Sequence, residues 1–387
     1  TSLNGCKNWQ KLNGTPNMSF RDLVIQKRES DLVAASFGRG FYVLDDYSPL
    51  RNFSNENLKT KGHLFPIKNG KWFIQRSNLG NTGADFYLAK NPKYGVTMTY
   101  HLSDSYETKN EKRKKIEKRL NQKLLNVPFP GYNELDEEKN ETPAYIKILI
   151  EDENGNIIRH LKERARRGTH RITWDLRHMF KGSVTDSNKN YNLKGPIVKP
   201  GKYSATLYLV ENGVTTKLSE KESFELKPIY KSTLKGTSFE DYDKYVDDYF
   251  EVYNEIESIE YKLKTIDEKV KFLKIAIENT PIYTKKLVLD FSSLRSSLLS
   301  IKRKVFGNES KSEIGEKNLP TLFNRIRVAS QGLSSSYGPT KLHLESLNMA
   351  RQINENIKPL IEELINKKIN PLENKINSAG GPIILDN

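Results

Sequence analysis

The sequence predicts a multidomain fold: a small β-sheet near the N-terminus, an all-β sandwich in the middle and an antiparallel helical bundle at the C-terminus. Three patterns lead to this prediction. Residues 1–50 include three short β-rich runs separated by polar or glycine-containing breaks. Residues 71–230 contain strand-like runs with turn residues between them, and residues 238–379 repeat apolar residues at spacings of three and four. Residues 51–70 are expected to be a linker.

Length, composition and charge exclude several classes of protein. The 387 residues exceed one ordinary core and fit two or three domains. No stretch of about 18 uncharged apolar residues is present, so we expect no membrane span. The formal charge is +15, but the 63 basic residues are interleaved with 48 acidic ones and no nucleic-acid motif occurs. We therefore expect no nucleic-acid partner.

The first β-rich part predicts a three-stranded meander formed by Arg21–Gln26, Asp31–Phe37 and Gly40–Asp45. An isolated sheet of this size leaves two edges open and has little area to cover its apolar face. We therefore expect additional polypeptide beside it. After the meander, Ser48 is expected to cap a helix that has Pro49 at its first position.

The segment before the meander, Ser2–Trp9, resembles a degenerate Asp-box, the bacterial-neuraminidase repeat with the pattern Ser-x-Asp-x-Gly-x-Thr-Trp. In that repeat the segment closes a hairpin in each blade of a β-propeller. This sequence departs from the pattern at Asn4, Cys6 and Asn8.

The meander itself resembles the final blade of sortilin-type propellers, specifically the bacterial family that carries the name glycosyl hydrolase. The resemblance lies in Phe20–Ile25 and Phe37–Leu50 and covers their order and spacing. It implies that residues 1–50 are the end of a β-propeller. The glycines on either side of Arg39 would allow a tight turn, and Arg39 fits an ordinary β-turn as well as a ligand contact.

The middle region predicts a sandwich of antiparallel strands. Asn154-Gly155 and Asn212-Gly213 lie between strand-like runs and predict type I′ hairpin turns. The predicted strands contain Trp72–Ile74, Val96–Tyr100, Tyr145–Ile150, Arg171–Trp174 and Tyr203–Leu209.

Part of this region, Gly168–Arg177 together with Lys199–Tyr203, resembles the immunoglobulin-like or fibronectin type III-like module that follows the propeller in the same family. Trp174 is expected to be the core aromatic, because a tryptophan on a half-buried strand supplies a large apolar area. Trp72 is the better candidate for a carbohydrate contact.

A charged insertion, residues 105–142, interrupts the predicted strands. Only Ile116, Leu120 and Leu124 recur on one helical face there. The insertion is either an amphipathic basic helix that docks on an acidic partner or an anionic surface, or a solvated excursion between two strands. The second interpretation is favoured.

The C-terminal part predicts three long helices and a fourth segment from about Thr340 to Asn377. Breaks are expected at Thr280-Pro281, Gly307-Asn308 and Tyr337–Pro339. Pro359 is expected to kink the fourth segment, and Pro371 to bend or restart it. The apolar stripes begin at Tyr245, Leu287, Leu319 and Leu347.

The sequence predicts no catalytic, cofactor or metal site. The six histidines lack metal-ligand spacing, and no nucleophile elbow or phosphate-binding glycine loop occurs. Asp45 and Asp46 are the only pair that suggests glycoside hydrolysis, but neighbouring strand residues point to opposite faces. Cys6 is interpreted as structural.

We therefore expect a non-catalytic structural or interaction region of a large secreted or cell-surface propeller protein, on the outer surface of a bacterial cell. Its expected partners are the upstream propeller polypeptide, in the same or a separate chain, and other cell-surface proteins. Two alternatives stay open. The region could be the accessory end of a glycoside hydrolase whose catalytic carboxylates lie upstream, as the resemblance implies, or a sandwich that binds polysaccharide.

Overall fold

The computed structural model divides the chain into two compact units, which are described separately. Unit 1 comprises residues 1–179 and 198–231, and unit 2 comprises residues 180–197 and 232–387. The structure describes residues 1–2, 5–12, 14–75, 89–184, 193–230, 233 and 235–384.

Unit 1 begins with a three-stranded antiparallel sheet in the order β1-β2-β3, called the N-terminal sheet below. The predicted meander is confirmed. Two short helices follow the sheet. Ser48 is not the helix cap as predicted: Tyr47 occupies that position, and the Ser48 hydroxyl donates to Asp46 Oδ1 at 2.6 Å. The elements are β1 (Phe20–Gln26), β2 (Asp31–Ser36), β3 (Phe41–Leu44), α1 (Ser48–Arg51) and α2 (Asn55–Lys59).

The remainder of unit 1 contains two further sheets. One is antiparallel, in the order β4-β6-β9; the other is mixed, in the order β5-β12-β10-β7-β8, with β11 also paired to β10. β5 and β12 are parallel. The strands are β4 (Gly62–Leu64), β5 (Gly70–Trp72), β6 (Val96–Leu102), β7 (Tyr145–Asp152), β8 (Ile157–Arg164), β9 (Gly168–Trp174), β10 (Gly201–Glu211), β11 (Val214–Lys217) and β12 (Glu222–Pro228).

An aromatic cluster joins these two sheets. Trp174 on β9 is fully buried, and its ring centroid lies 5.3 Å from that of Tyr203 on β10 and 6.1 Å from that of Phe224 on β12. The predicted core position of Trp174 is confirmed. Its indole N–H donates to the Arg177 carbonyl at 2.9 Å, so burial leaves no unsatisfied donor on the ring.

Two details differ from the sequence-based expectations. β4 and the buried Phe65 lie inside the stretch expected to be a linker. The sequence did not predict this strand, because three residues are too few to show a period of two. Asn212 and Gly213 both have positive φ, as a type I′ turn requires, but of Asn154 and Gly155 only Gly155 does.

The charged insertion forms two helices, α3 (Lys109–Gln122) and α4 (Tyr132–Asn140), and neither contains a buried residue. A capping box between Thr108 and Glu111 starts α3. Arg113 joins the helices through a hydrogen-bonded ion pair with Glu138 at 2.6 Å. The insertion is therefore an exposed helical hairpin that ion pairs hold together.

Unit 2 is helical, and the predicted breaks separate its helices. Among its described helices, none has the length and apolarity needed to cross a membrane. The helices are α5 (Phe239–Glu278), α6 (Lys285–Phe306), α7 (Glu309–Glu313), α8 (Leu322–Ser330), α9 (Lys341–Leu364) and α10 (Asn370–Ser378), with a π-helical turn at Ile365–Ile369 between the last two.

The prediction of a third long helix is wrong. α8 has only nine residues, and Leu319, which was expected to begin its apolar stripe, is 88% exposed. Pro320 cannot donate a backbone hydrogen bond, and Thr321 caps the helix with Asn324 in a capping box. The break predicted at Pro371 is present as the π-helical turn, whereas α9 continues through Pro359.

Contacts between side chains give the directions of the helices. Arg351 pairs with Asp248 and Lys358 with Glu255, so α5 and α9 are parallel. Lys375 on α10 pairs with Asp290, and Lys368 donates to the Ser297 hydroxyl. α6 is therefore antiparallel to the segment α9–α10, and hence to α5. The Tyr242 and Tyr245 hydroxyls donate to the carbonyls of Leu333 and Ala329, which places α8 antiparallel to α5 as well.

Candidate interaction surface

The N-terminal sheet has two outer strands that pair with no further strand in the described part of the chain. β1 pairs with β2 along its length, with Phe20 opposite Ser36 at one end and Gln26 opposite Asp31 at the other. A bulge interrupts the register near Phe20. In the pairing of β2 with β3, Ala35 lies opposite Phe41 and Leu32 lies opposite Leu44. The outer edges of β1 and β3 can therefore accept another strand.

Both faces of the N-terminal sheet expose apolar side chains. Leu23 and Val24 are consecutive on β1 and point to opposite faces, yet both are exposed. On β3, Phe41 is 77% exposed, and its neighbours Tyr42 and Val43 are exposed too. Contiguous apolar surface of this kind marks an interaction site or an aggregation hazard. We take this sheet as the candidate interaction surface.

The β2–β3 connection uses the predicted glycine pair. Gly38 and Gly40 have φ values of +75° and +77°, which only glycine adopts at low cost. The Gly40 carbonyl accepts hydrogen bonds from the Ser36 amide at 3.0 Å and the Ser36 hydroxyl at 2.8 Å. Arg39 is exposed at the tip of this turn. The predicted tight turn is confirmed, and a ligand role for Arg39 stays a prediction.

Glu29, in the β1–β2 turn, anchors the N-terminal sheet to the rest of unit 1. Its carboxylate accepts from Lys68 Nζ at 2.8 Å and Lys71 Nζ at 2.9 Å. Lys68 also donates to the Glu29 carbonyl at 2.7 Å. The hydrogen bonds from Lys68 and Lys71 lower the pKa of Glu29 to about 2.

Arg171, on β9, provides a second anchor at the other end of the sheet. Its guanidinium donates to the Asp45 carbonyl at 2.6 Å and to the Asp46 carbonyl. Asp46 has a positive φ of +44°, and its carboxylate accepts from the Ser48 amide and hydroxyl. Asp46 therefore serves the turn after β3.

The segment that resembles an Asp-box closes on itself. Thr1 and Gln10 exchange two backbone hydrogen bonds, at 2.7 and 2.8 Å. The Cys6 amide donates to the Ser2 hydroxyl at 2.8 Å, and Cys6 is exposed with a φ of +67°. Asn4, one of the departures from the repeat, lies outside the described residues.

Trp72, the candidate carbohydrate contact, is half-buried at the end of β5. Its indole N–H donates to the Val198 carbonyl at 2.7 Å. The donor that could bond a sugar hydroxyl is therefore already used within unit 1. A carbohydrate role for Trp72 stays a prediction.

Two histidines that are distant in sequence become neighbours. His63 on β4 lies directly opposite His101 on β6, and His101 Nδ1 is 3.1 Å from the Thr169 hydroxyl. Burial lowers the pKa of both imidazoles. Over the part of the chain that the structure describes, no group of three or more histidine, cysteine or acidic side chains could hold a metal ion.

Sequence patterns alone did not identify Glu29, Arg171 or Tyr203 as important. Glu29 and Arg171 act through tertiary contacts, which no local pattern encodes. Tyr203 did have a recognisable position, because it follows a Pro-Gly pair at the start of a long strand. Its hydroxyl donates to the Lys199 carbonyl at 2.7 Å.

Comparison of the chain with protein-family models, with curated proteins and with solved structures found no match.

Proposed function

We propose that this chain is the non-catalytic C-terminal region of a large secreted or cell-surface Asp-box β-propeller protein, with the N-terminal sheet as its last blade. The observation that carries the proposal is the apolar surface on both faces of that sheet, from Leu23 on β1 to Phe41 on β3. Such a sheet requires polypeptide on both sides, and a neighbouring blade supplies apolar contacts of this kind. The resemblance of residues 20–50 supports the same identity.

We further propose that the rest of unit 1 is an immunoglobulin-like or fibronectin III-like sandwich. The strand orders support this, because β4-β6-β9 corresponds to A-B-E and β12-β10-β7 to G-F-C of that fold. Tyr203 supports it too. A tyrosine near the start of strand F that bonds to a backbone carbonyl slightly upstream is the tyrosine corner of such domains.

In this proposal the sandwich and the helices of unit 2 brace the propeller and offer surfaces to other cell-surface proteins. The 40 residues of α5 correspond to a rod about 60 Å long. Apolar residues such as Ile256 and Leu263 are buried along it. Catalytic carboxylates of a glycoside hydrolase, if the complete protein is one, would lie in the upstream blades.

Amide hydrogen exchange tests the proposal. The chain is measured alone and within the longer polypeptide that the proposal requires. We expect the outer-edge amides of β1 and β3 to exchange fast in the chain alone and to become protected in the longer polypeptide. Phe41→Asp should prevent this protection, whereas Val214→Asp, at an exposed apolar position on β11, should not. Equal exchange in both contexts, or a gene with no propeller sequence before residue 1, would contradict the proposal.

A further inference from the structure

The loop between α3 and α4 exposes an apolar tip, defined here as residues 124–132. Leu124 is 94% exposed, and Leu125, Phe129 and Tyr132 are also exposed. The Phe129 and Tyr132 rings contact each other edge to face, with centroids 5.2 Å apart. None of these side chains covers a core. Their exposure therefore has no explanation in the stability of unit 1.

Leu124 is also in an unfavourable backbone conformation. It has a φ of +53° and follows the C-cap residue of α3. Its amide donates to the Asn121 carbonyl, and the Leu125 amide donates to the Leu120 carbonyl, both at 3.0 Å. These two bonds are the Schellman motif, in which the position of Leu124 is usually glycine. A leucine there strains the backbone and exposes an apolar side chain, and such outliers occur mainly at functional positions.

The backbone of the tip suits an apolar environment. The amides of Leu124 and Leu125 are satisfied by the α3 carbonyls. Pro128 and Pro130 have no amide hydrogen to satisfy and restrict the loop. The tip therefore has few donors that would lose water on insertion, and little conformational freedom to lose.

Three exposed cations lie at the end of α3, just before the tip. Several cations nearer the start of α3 are paired with acidic side chains; for example, Lys109 pairs with Glu137 at 2.7 Å. Close to the tip, Lys118, Arg119 and Lys123 are exposed and make no ion pair in the described part of the hairpin. The end of α3 is therefore apolar at its tip and positive just behind it.

We propose that the α3–α4 hairpin docks on an anionic lipid surface, with Leu124, Phe129 and Tyr132 entering the interface while Lys118, Arg119 and Lys123 contact the phosphates. Aliphatic and aromatic residues next to lysine and arginine are the combination that binds lipid interfaces. A nucleic acid is a poorer match, because the cations near the tip do not line an aromatic-rich groove. This inference does not rest on the proposed propeller identity.

Co-sedimentation of the full chain with vesicles tests the inference. The vesicles contain phosphatidylcholine with about 30% phosphatidylglycerol at low salt, or phosphatidylcholine alone. We expect binding to the anionic vesicles only. The triple variant Lys118→Gln, Arg119→Gln, Lys123→Gln should bind about a hundredfold more weakly, since each surface cation contributes about a factor of five.

Leu124→Gly separates binding from folding. It should weaken vesicle binding about tenfold, because most of the leucine side chain is lost from the interface. The same change should raise the unfolding midpoint, since glycine adopts the positive φ without strain. Leu319→Gly, at another exposed leucine outside the hairpin, should leave vesicle binding unchanged.

Three results would overturn the inference. One is failure of the unmodified chain to bind anionic vesicles at low salt. An acidic pocket on another protein would then be the partner that fits this tip. Another is unchanged binding by Leu124→Gly. The third is a lower unfolding midpoint for Leu124→Gly, which would show that the leucine serves the fold.

Discussion

Glu29→Gln tests how the N-terminal sheet is attached to the rest of unit 1. The substitution keeps the size of the side chain and removes the charge that Lys68 and Lys71 contact. Partly exposed ion pairs contribute about 0.2 to 1 kcal/mol each. With two pairs present, we expect the variant to lower the free energy of detaching the sheet by about 1 kcal/mol.

Hydrogen exchange of the β1 and β2 amides at neutral pH and low salt measures this effect. A loss of about 1 kcal/mol corresponds to about fivefold faster exchange. High salt should shrink the difference, because both lysines are partly solvated. Glu56→Gln is the control, since Glu56 is an exposed carboxylate on α2 that makes no ion pair within the described residues.

The pH dependence provides a second measurement of the same link. The pKa of Glu29 is about 2 in the folded chain and 4.5 without its partners. The stabilisation is therefore complete above about pH 4.5 and is lost as the pH falls towards 2. Glu29→Gln should remove this part of the acid dependence. Identical exchange rates for the unmodified chain and Glu29→Gln at pH 7 and low salt would refute the assignment of Glu29 as an anchor.

Other predictions use tryptophan fluorescence, which reports unit 1 because all three tryptophans lie there. Tyr203→Phe should lower the free energy of unfolding by about 1 kcal/mol, because the hydrogen bond to the Lys199 carbonyl is lost. An unchanged urea midpoint would show that this tyrosine corner does not stabilise unit 1. Gly95→Ala should cost more than about 3 kcal/mol, since a Cβ there would lie 1.8 Å from the Trp174 carbonyl oxygen; a stable variant would contradict that contact. His63 and His101 have a pKa below the usual 6.5, so the urea midpoint should fall as pH drops below about 6.5, and less so after replacement of both by glutamine.

The parts that the sequence predicted well are those governed by local patterns. The heptad stripe of α5 begins with Tyr245 and ends with Ile277, and both residues are buried. The Asn212-Gly213 turn forms as its φ preferences require. In such segments the residues that decide the structure are neighbours in the chain, so periodicity and turn chemistry are sufficient.

The parts that the sequence did not predict depend on distant contacts or on competing local ones. At Asn154-Gly155 the carboxylate of Asp152 accepts from the amides of Asn154 and Asn156, which produces a longer turn. β4 is a strand only because β6 pairs with it. His63 and His101 became neighbours in the same way, although sequence spacing had suggested no relationship.

The N-terminal sheet contains a conflict between its composition and its surroundings. Strands with one solvated face alternate apolar and polar residues, whereas strands covered on both faces have continuous apolar runs. β1 contains Leu23-Val24-Ile25 and β3 contains Phe41-Tyr42-Val43-Leu44, which are continuous runs. The sequence of each strand therefore fits burial on both faces, yet in this chain most of these residues are exposed. Polypeptide that covers both faces would remove the conflict, and for this reason we propose that the sheet is the last blade of a propeller.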